Sequence, residues 1–164
     1  MIELNSKRQA IRQLSCDFFY NFSRFEYAIK ASGYFRQNSQ SSDAWPDWNR
    51  FEQSLPNVFQ TVQNEKLRKA CQYLLDNPPR KQVIVNNSIE WRESLKRQNE
   101  SEVRFLLRMV RCMRNNLFHG GKHETKINID TERTKLLLHS GLVILDEILR
   151  LSQDVKGKYD LAKL

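Results

Sequence analysis

The residues with the most chemical potential lie in one run, Arg104 to Lys122, with the sequence RFLLRMVRCMRNNLFHGGK. An α-helix turns by about 100° per residue, so with Arg104 at zero, Arg108, Arg111, Asn115 and His119 all fall within about 60° of it. Val103, Leu106, Val110, Met113 and Leu117 gather at about 180–260°, on the opposite face. One side of this helix is therefore expected to feed a core. The other carries three arginines, an asparagine and a histidine, and no acid stands between Arg104 and His119. Histidine passes protons near neutral pH, and arginine holds phosphate with a planar fork of donors. The C-terminal end of a helix favours a protonated imidazole, and Gly120-Gly121 would let a substrate approach the backbone closely. Such groups can cleave RNA without a metal. One deprotonates the ribose 2′-hydroxyl, an arginine neutralises the developing phosphorane charge, and a protonated group assists the departing 5′-oxygen. Arg104, Arg108, Arg111 and, past the glycines, Lys122 are the expected RNA contacts.

Arg114-Asn115-Asn116-Leu117-Phe118-His119 resembles the Arg-x(4–6)-His motif of the HEPN superfamily, in its Arg-Asn-x-x-x-His form. The run FSRFEYAIKASGY near the N-terminus and the later Asp47-Trp48 are also similar to certain bacterial HEPN proteins, so the resemblance covers most of the chain. It implies a small helical bundle that pairs, with two motif-bearing helices forming one composite site. It implies a metal-independent endoribonuclease of a toxin–antitoxin, phage-defence or RNA-processing system, with an antitoxin or other regulatory protein as a possible partner. The catalytic roles fall on Arg114 and His119, and Asn115 matches the polar residue that orients the histidine. Asn115 and His119 are four apart, which suits a side-chain hydrogen bond. Arg114 lies about 140° from His119 on an ideal helix, so its side chain must curl round, the helix must distort near Phe118, or Arg114 must serve the partner's site. In HEPN toxins controlled by MNT-type nucleotidyltransferases a tyrosine stands two residues after the histidine. Gly121 stands there in this chain, and that regulation is not implied.

The elements that must position these groups read as helices. Ile11, Leu14, Phe18, Phe22, Phe25 and Ile29 recur at spacings of three and four, predicting a helix from Asn5 to Ala31 with a bulky inward stripe that includes Phe19. Asn5 or Ser6 is the expected cap, and Gly33 the stop. Glu26 departs from the stripe and is a candidate accessory residue. A short helix is predicted from Asp47, with Trp48, Phe51 and Leu55 inward, and another from about Val58 to Leu75, stopped by Pro78-Pro79. Val83-Ile84-Val85 followed by Asn86-Asn87 allows at most a short β hairpin near 82–90. Asn99 and Glu102 have the form of a capping box for the motif helix. A leucine-rich helix from Thr131 to about Leu151 follows, with His139 read as structural, and then a polar tail over 152–164. The expected fold is an all-α antiparallel bundle of four to five helices in one domain, 1–164.

Composition agrees with that class and narrows the partners. Lys and Arg number 27 against 19 Asp and Glu, a net charge of +8 that favours polyanions such as RNA. No apolar run reaches the roughly 18–20 residues that span a membrane, and MIELNSKRQAIRQ lacks the apolar core of a secretory signal. A cytoplasmic location is expected. Cys16, Cys71 and Cys112 are widely spaced and read as reduced, structural thiols. No metal and no cofactor is expected, since His119 and His123, the one pair at ligand spacing, are separated by two glycines. Trp45, Trp48 and Trp91 could stack bases, with burial expected for at least two.

Three functions fit these features. The first is a HEPN-type endoribonuclease working as a homodimer. The second is a non-catalytic HEPN module that binds RNA or a protein. The third is a structural bundle that dimerises through the arginine stripe, against which stands the repulsion between two uncompensated cationic rows.

Overall fold

The computed structural model describes residues 2–37, 42–59, 64–118 and 131–162, without the side chains of residues 2–8 and 131. His119, Lys122 and His123 lie outside the described residues.

The chain is mainly helical. In order, it forms α1 (Ile2–Ala31), β1 (Phe35–Gln37), β2 (Ala44–Pro46), α2 (Trp48–Ser54), α3 (Glu65–Asp76), β3 (Arg80–Val85), β4 (Ser88–Glu93), α4 (Glu102–Phe118), α5 (Thr131–Leu151) and α6 (Gln153–Leu161). Six helices and two antiparallel hairpins thus occur among the described residues, where sequence periodicity predicts four or five helices and at most one hairpin. No described helix is long and apolar enough to cross a membrane.

α1 ends as its sequence predicts. Gly33 takes φ +87°, and the Gly33 and Tyr34 N–H groups donate back to Lys30 and Ile29 carbonyls at 3.0 and 3.1 Å. That pair of bonds is a Schellman stop, which needs a left-handed residue that glycine adopts without a Cβ clash. Phe18, Phe22, Phe25 and Ile29 are buried as expected. Phe19 is not; it is 39% exposed and stacks on Phe118 at 6.3 Å between ring centroids.

The other boundaries follow local chemistry. Asp47 caps α2, its carboxylate accepting the Arg50 N–H at 3.1 Å, and Asn64 caps α3 by accepting from Leu67 N at 3.0 Å. Both α3 and its prediction stop before Pro78-Pro79. The start of α4 differs from expectation. Asn99 sits at φ +60° inside a turn, and Ser101 caps the helix instead, its hydroxyl accepting from Arg104 N at 3.3 Å. The turn closes through Glu100 N–H to Arg97 O at 3.2 Å, leaving the Glu100 side chain directed at α4.

Asn86 and Asn87, at φ +48° and +62°, form the two-residue turn of the β3–β4 hairpin. Two left-handed residues match the right-handed twist of the strands, and asparagine tolerates that region. The register pairs Lys81 with Arg92, Gln82 with Trp91, Val83 with Glu90 and Ile84 with Ile89. Neither hairpin has a layer on both faces, so Trp45 and Trp91 stay 51% and 37% exposed while only Trp48 packs against the core. Burial of two tryptophans is therefore not observed.

α5 is the common neighbour of α1, α3, α4 and α6. Its Leu138, Ile144, Leu145 and Ile148 meet Phe18 and Phe22 of α1, Leu67 and Leu74 of α3, and Leu106, Val110 and Met113 of α4 in one buried cluster. His139 is exposed rather than internal. The segment after Leu151, predicted as a polar tail, forms α6 against α1. Val155 is buried there, Arg24 Nη2 donates to Tyr159 O at 2.7 Å, and the Tyr159 hydroxyl bonds Asn21.

α5 packs tightly against α1 and α4 at Gly141. A Cβ there would stand 2.7 Å from both Met113 Cε of α4 and a ring carbon of Phe18 of α1. Gly141→Ala is expected to lower the thermal midpoint. Overpacking costs about 1–3 kcal/mol, and better helix propensity returns about 1 kcal/mol. Chemical denaturation of both proteins checks this, and a stabilised variant would mean that α5 does not approach α1 and α4 so closely.

Candidate functional site

α4 departs from the one-sided helix that its sequence predicts. Val103, Leu106, Val110 and Met113 are buried as expected, but so are Phe105, Leu107 and Met109. The extra cover comes from α2 on one flank and from β3 on another. Cover on that side brings the arginine stripe under other elements, and Arg104, Arg108 and Arg111 are all half-buried.

Each of these arginines finds a partner outside α4. Arg108 meets Glu100 fork to fork, with Nε and Nη2 donating to the two carboxylate oxygens at 2.7 Å each, and Nη2 also donates to Leu95 O at 2.9 Å. Arg111 Nη1 donates to Glu52 Oε1 of α2 at 3.1 Å, and its guanidinium lies 4.5 Å from the Trp48 ring centroid. Arg104 Nε donates to Glu52 O at 3.4 Å. No acid stands between Arg104 and Phe118 on α4, yet Glu52 of α2 and Glu100 of the segment 94–101 pair with Arg111 and Arg108 in space.

The two ion pairs are in different balance. Burial raises the Glu100 carboxyl, but the hydrogen bonds from Arg108 and from the Arg97 N–H outweigh it and hold Glu100 below its ordinary 4.5. Burial also raises Glu52, and there Arg111 offsets only part, so its pKa stays above the ordinary value. Burial lowers Arg111 in turn, against the pull of Glu52. The Arg111–Glu52 pair is thus a desolvated tie between α4 and α2, whereas Arg108–Glu100 is a favourable clamp.

Arg114 points toward α1. Its guanidinium is 3.9 Å from Glu26, within 5.8 Å of the Phe22 ring centroid and 5.5 Å of that of Phe118. Its Nη1 also donates to Asn115 Oδ1 at 3.1 Å. The guanidinium thus lies on the α1 side of α4 and reaches the adjacent Asn115 from there, with α4 helical to Phe118. Glu26, Arg114 and Asn115 are brought together in this way. Their relation to His119 and Lys122 falls outside the described residues.

Beside this cluster, a cleft of about 490 Å³ opens between α4, α2, hairpin β3–β4 and the segment 94–101. Asn115 lines it together with Arg108 and Arg111, so the cleft reaches the motif end of α4. The hairpin wall is tied down by Asn116 Nδ2, which donates to Arg80 O at 2.7 Å, and by the Cys112 thiol, 3.5 Å from the same oxygen. Burial raises the Cys112 thiol and pushes Cys71 up to about 12, so both stay protonated thiols. Cys16, on α1, is exposed. No group of three or more His, Cys, Asp or Glu side chains able to hold a metal occurs among the described residues.

Glu52, Glu100, Lys81 and Arg97 are cleft residues that the helical pattern alone does not point to. For Glu52 no local signal exists, since it pairs across 59 positions, whereas Glu100 stands only eight residues before its partner Arg108. Lys81 had one: a two-residue turn at Asn86-Asn87 fixes the register and sets Lys81 opposite Arg92.

The chain matches no protein-family model, no curated protein and no solved structure.

Because Glu100 is held low by Arg108, its share of stability is present above about pH 4.5 and is lost as the pH falls through its lowered folded value. Glu100→Gln is expected to cost about 1–2 kcal/mol at neutral pH. The gap to the wild type should close as acid neutralises the native carboxylate. Thermal melts across that range test the clamp, and a gap that stays constant down to about pH 3 would assign the loss to packing.

Proposed function

We propose that this protein is a metal-independent endoribonuclease of the HEPN type, acting as a homodimer with a composite site, in a toxin–antitoxin or phage-defence system of the cytoplasm. The observation that carries the reading is the Arg114 side chain, hydrogen-bonded to Asn115, which stands four residues before His119 in the sequence. Glu26 steadies the guanidinium from α1 without enclosing it, which leaves donors for a phosphate.

In this mechanism the 2′-oxygen of a ribose loses its proton and attacks the adjacent phosphorus. The bond to the 5′-oxygen breaks, and that oxygen takes up a proton. Arg114 stabilises the charge of the phosphorane, His119 moves the proton, and Asn115 fixes the imidazole. The products are a 2′,3′-cyclic phosphate and a 5′-hydroxyl. Pairing is supported by Phe19 and Phe118, whose stacked rings lie on the surface at 39% and 63% exposure beside Arg114. Neutralisation of Arg108 and Arg111 within each protomer also removes most of the repulsion between facing α4 helices. An antitoxin or regulatory protein is the expected further partner.

Purified wild-type protein is expected to cleave RNA in the presence of EDTA and leave cyclic phosphate ends. His119→Ala should lower the rate by about 10²–10⁴-fold, the usual contribution of a proton-transfer group. Arg114→Ala should lower it by about 10²–10³-fold. Undiminished cleavage by His119→Ala would remove the proposed role of His119. Binding without cleavage, by wild type and variant alike across RNA types, would favour a non-catalytic HEPN module.

A further inference from the structure

The sequence assigns RNA contact to Arg104, Arg108 and Arg111. Arg108 and Arg111 are instead ion-paired to Glu100 and Glu52, and Arg104 Nε donates to the Glu52 carbonyl. Two other cations line the same cleft, Lys81 from β3 and Arg97 from the segment 94–101. A third, Arg92, is the direct cross-strand partner of Lys81. Directly opposed residues of an antiparallel pair share one face, and like charges in that position destabilise a hairpin. Glu90 shares that face, next but one to Arg92 on β4. Among the described residues neither Lys81 nor Arg92 forms an ion pair with it or with any other acid, and Arg97 forms none either. All three side chains are exposed.

Two cations without a salt bridge among the described residues, Lys81 and Arg97, thus line a cleft on whose α4 wall Arg108 and Arg111 are ion-paired, and Arg92 stands beside Lys81 on the hairpin. The remaining lining is rich in amides and hydroxyls, including Asn49, Gln82, Ser94, Asn115 and Asn116. These groups donate and accept hydrogen bonds and suit base edges or ribose hydroxyls. A cleft of about 490 Å³ admits a nucleotide or two and excludes a duplex. It also runs to Asn115, the residue shared with the Arg114 cluster.

We infer that this cleft is the track of a single RNA strand, whose phosphates are held by Lys81 and Arg92 of the hairpin and Arg97 of the segment 94–101, and not by the arginines of α4. The inference rests on the endoribonuclease reading for its choice of RNA, and it adds the strand's path and its contacts. The strand enters over the hairpin, phosphates toward Lys81 and Arg92, and is delivered along α4 to the motif end. Arg108 and Arg111 shape the opposite wall and hold α2 and the segment 94–101 in place.

Fluorescence anisotropy with a labelled oligouridylate of about 12 nucleotides measures binding apart from cleavage. The triple variant Lys81→Ala, Arg92→Ala, Arg97→Ala should bind about tenfold or more weakly at low salt. Its slope of log affinity against log salt should fall by about two, because each phosphate of a single strand neutralised by a cation contributes roughly 0.7. A triple variant that keeps the charges, K81R, R92K and R97K, should retain most of the affinity. A charge-matched control on other surfaces, Lys66→Ala, Lys135→Ala, Lys158→Ala, should keep a larger part of the affinity and fold equally well by circular dichroism. An RNA duplex of the same length and a mononucleotide should each compete poorly. Equal losses in the two alanine triples would reduce the effect to net charge and overturn the track, as would wild-type protein that ignores the single strand or prefers the duplex. These outcomes are separate from catalysis. A wild type that binds through the hairpin but never cleaves retains the track and loses the endoribonuclease reading; a wild type that cleaves with undiminished binding in the alanine triple does the reverse.

Discussion

A half-buried cation needs a partner, and the architecture around α4 follows from that need. Three arginines on one face of α4 lie beneath α2, hairpin β3–β4 and the segment 94–101, where water cannot fully solvate them. Glu52, from distant α2, and Glu100, from the turn just before α4, meet Arg111 and Arg108. Removing one carboxylate would leave a guanidinium partly desolvated and unpaired, which is more costly than never having formed the pair. The pairs therefore fix where α2 and the 94–101 turn sit, and with them two walls of the cleft.

That arrangement separates two tasks that a helical wheel assigns to one basic stripe. The α4 arginines hold the scaffold together. On the hairpin, Lys81 and Arg92 oppose each other without an ion-pairing carboxylate among the described residues. Arg114 belongs to neither group. It is drawn toward α1 by Glu26 and by the Phe22 and Phe118 rings, and its bond to Asn115 links the α1 side of α4 to the cleft side. Cation–ring contacts and a loose carboxylate hold its position without using up its fork of donors.

The core beneath keeps this geometry stiff. α5 touches α1, α3, α4 and α6, and at Gly141 it comes so near Phe18 and Met113 that there is no room for a methyl group. The rotation of α4 about its axis, which decides whether Asn115 faces the cleft, depends on that packing. α6 adds a brace on α1 through Val155, Tyr159 and Arg24.

Much of this was legible in the residues themselves. The apolar spacing of α1, α4 and α5, the Gly33 stop, the Asp47 cap and the Pro78-Pro79 break are local facts, set by helix period and by backbone chemistry within a few positions. The motif at Arg114–His119 is likewise visible as spacing. The tertiary structure decided what spacing does not encode. It turned Phe19 outward to Phe118, ordered 153–161 as a helix by giving Val155 and Tyr159 a surface to rest on, moved the α4 cap from Asn99 to Ser101, and left Trp45 and Trp91 on uncovered hairpins. Above all it changed the meaning of the arginine stripe. A helical wheel records the charges of one helix, whereas their neutralisation depends on acids 8 and 59 positions away that only folding brings within hydrogen-bond reach.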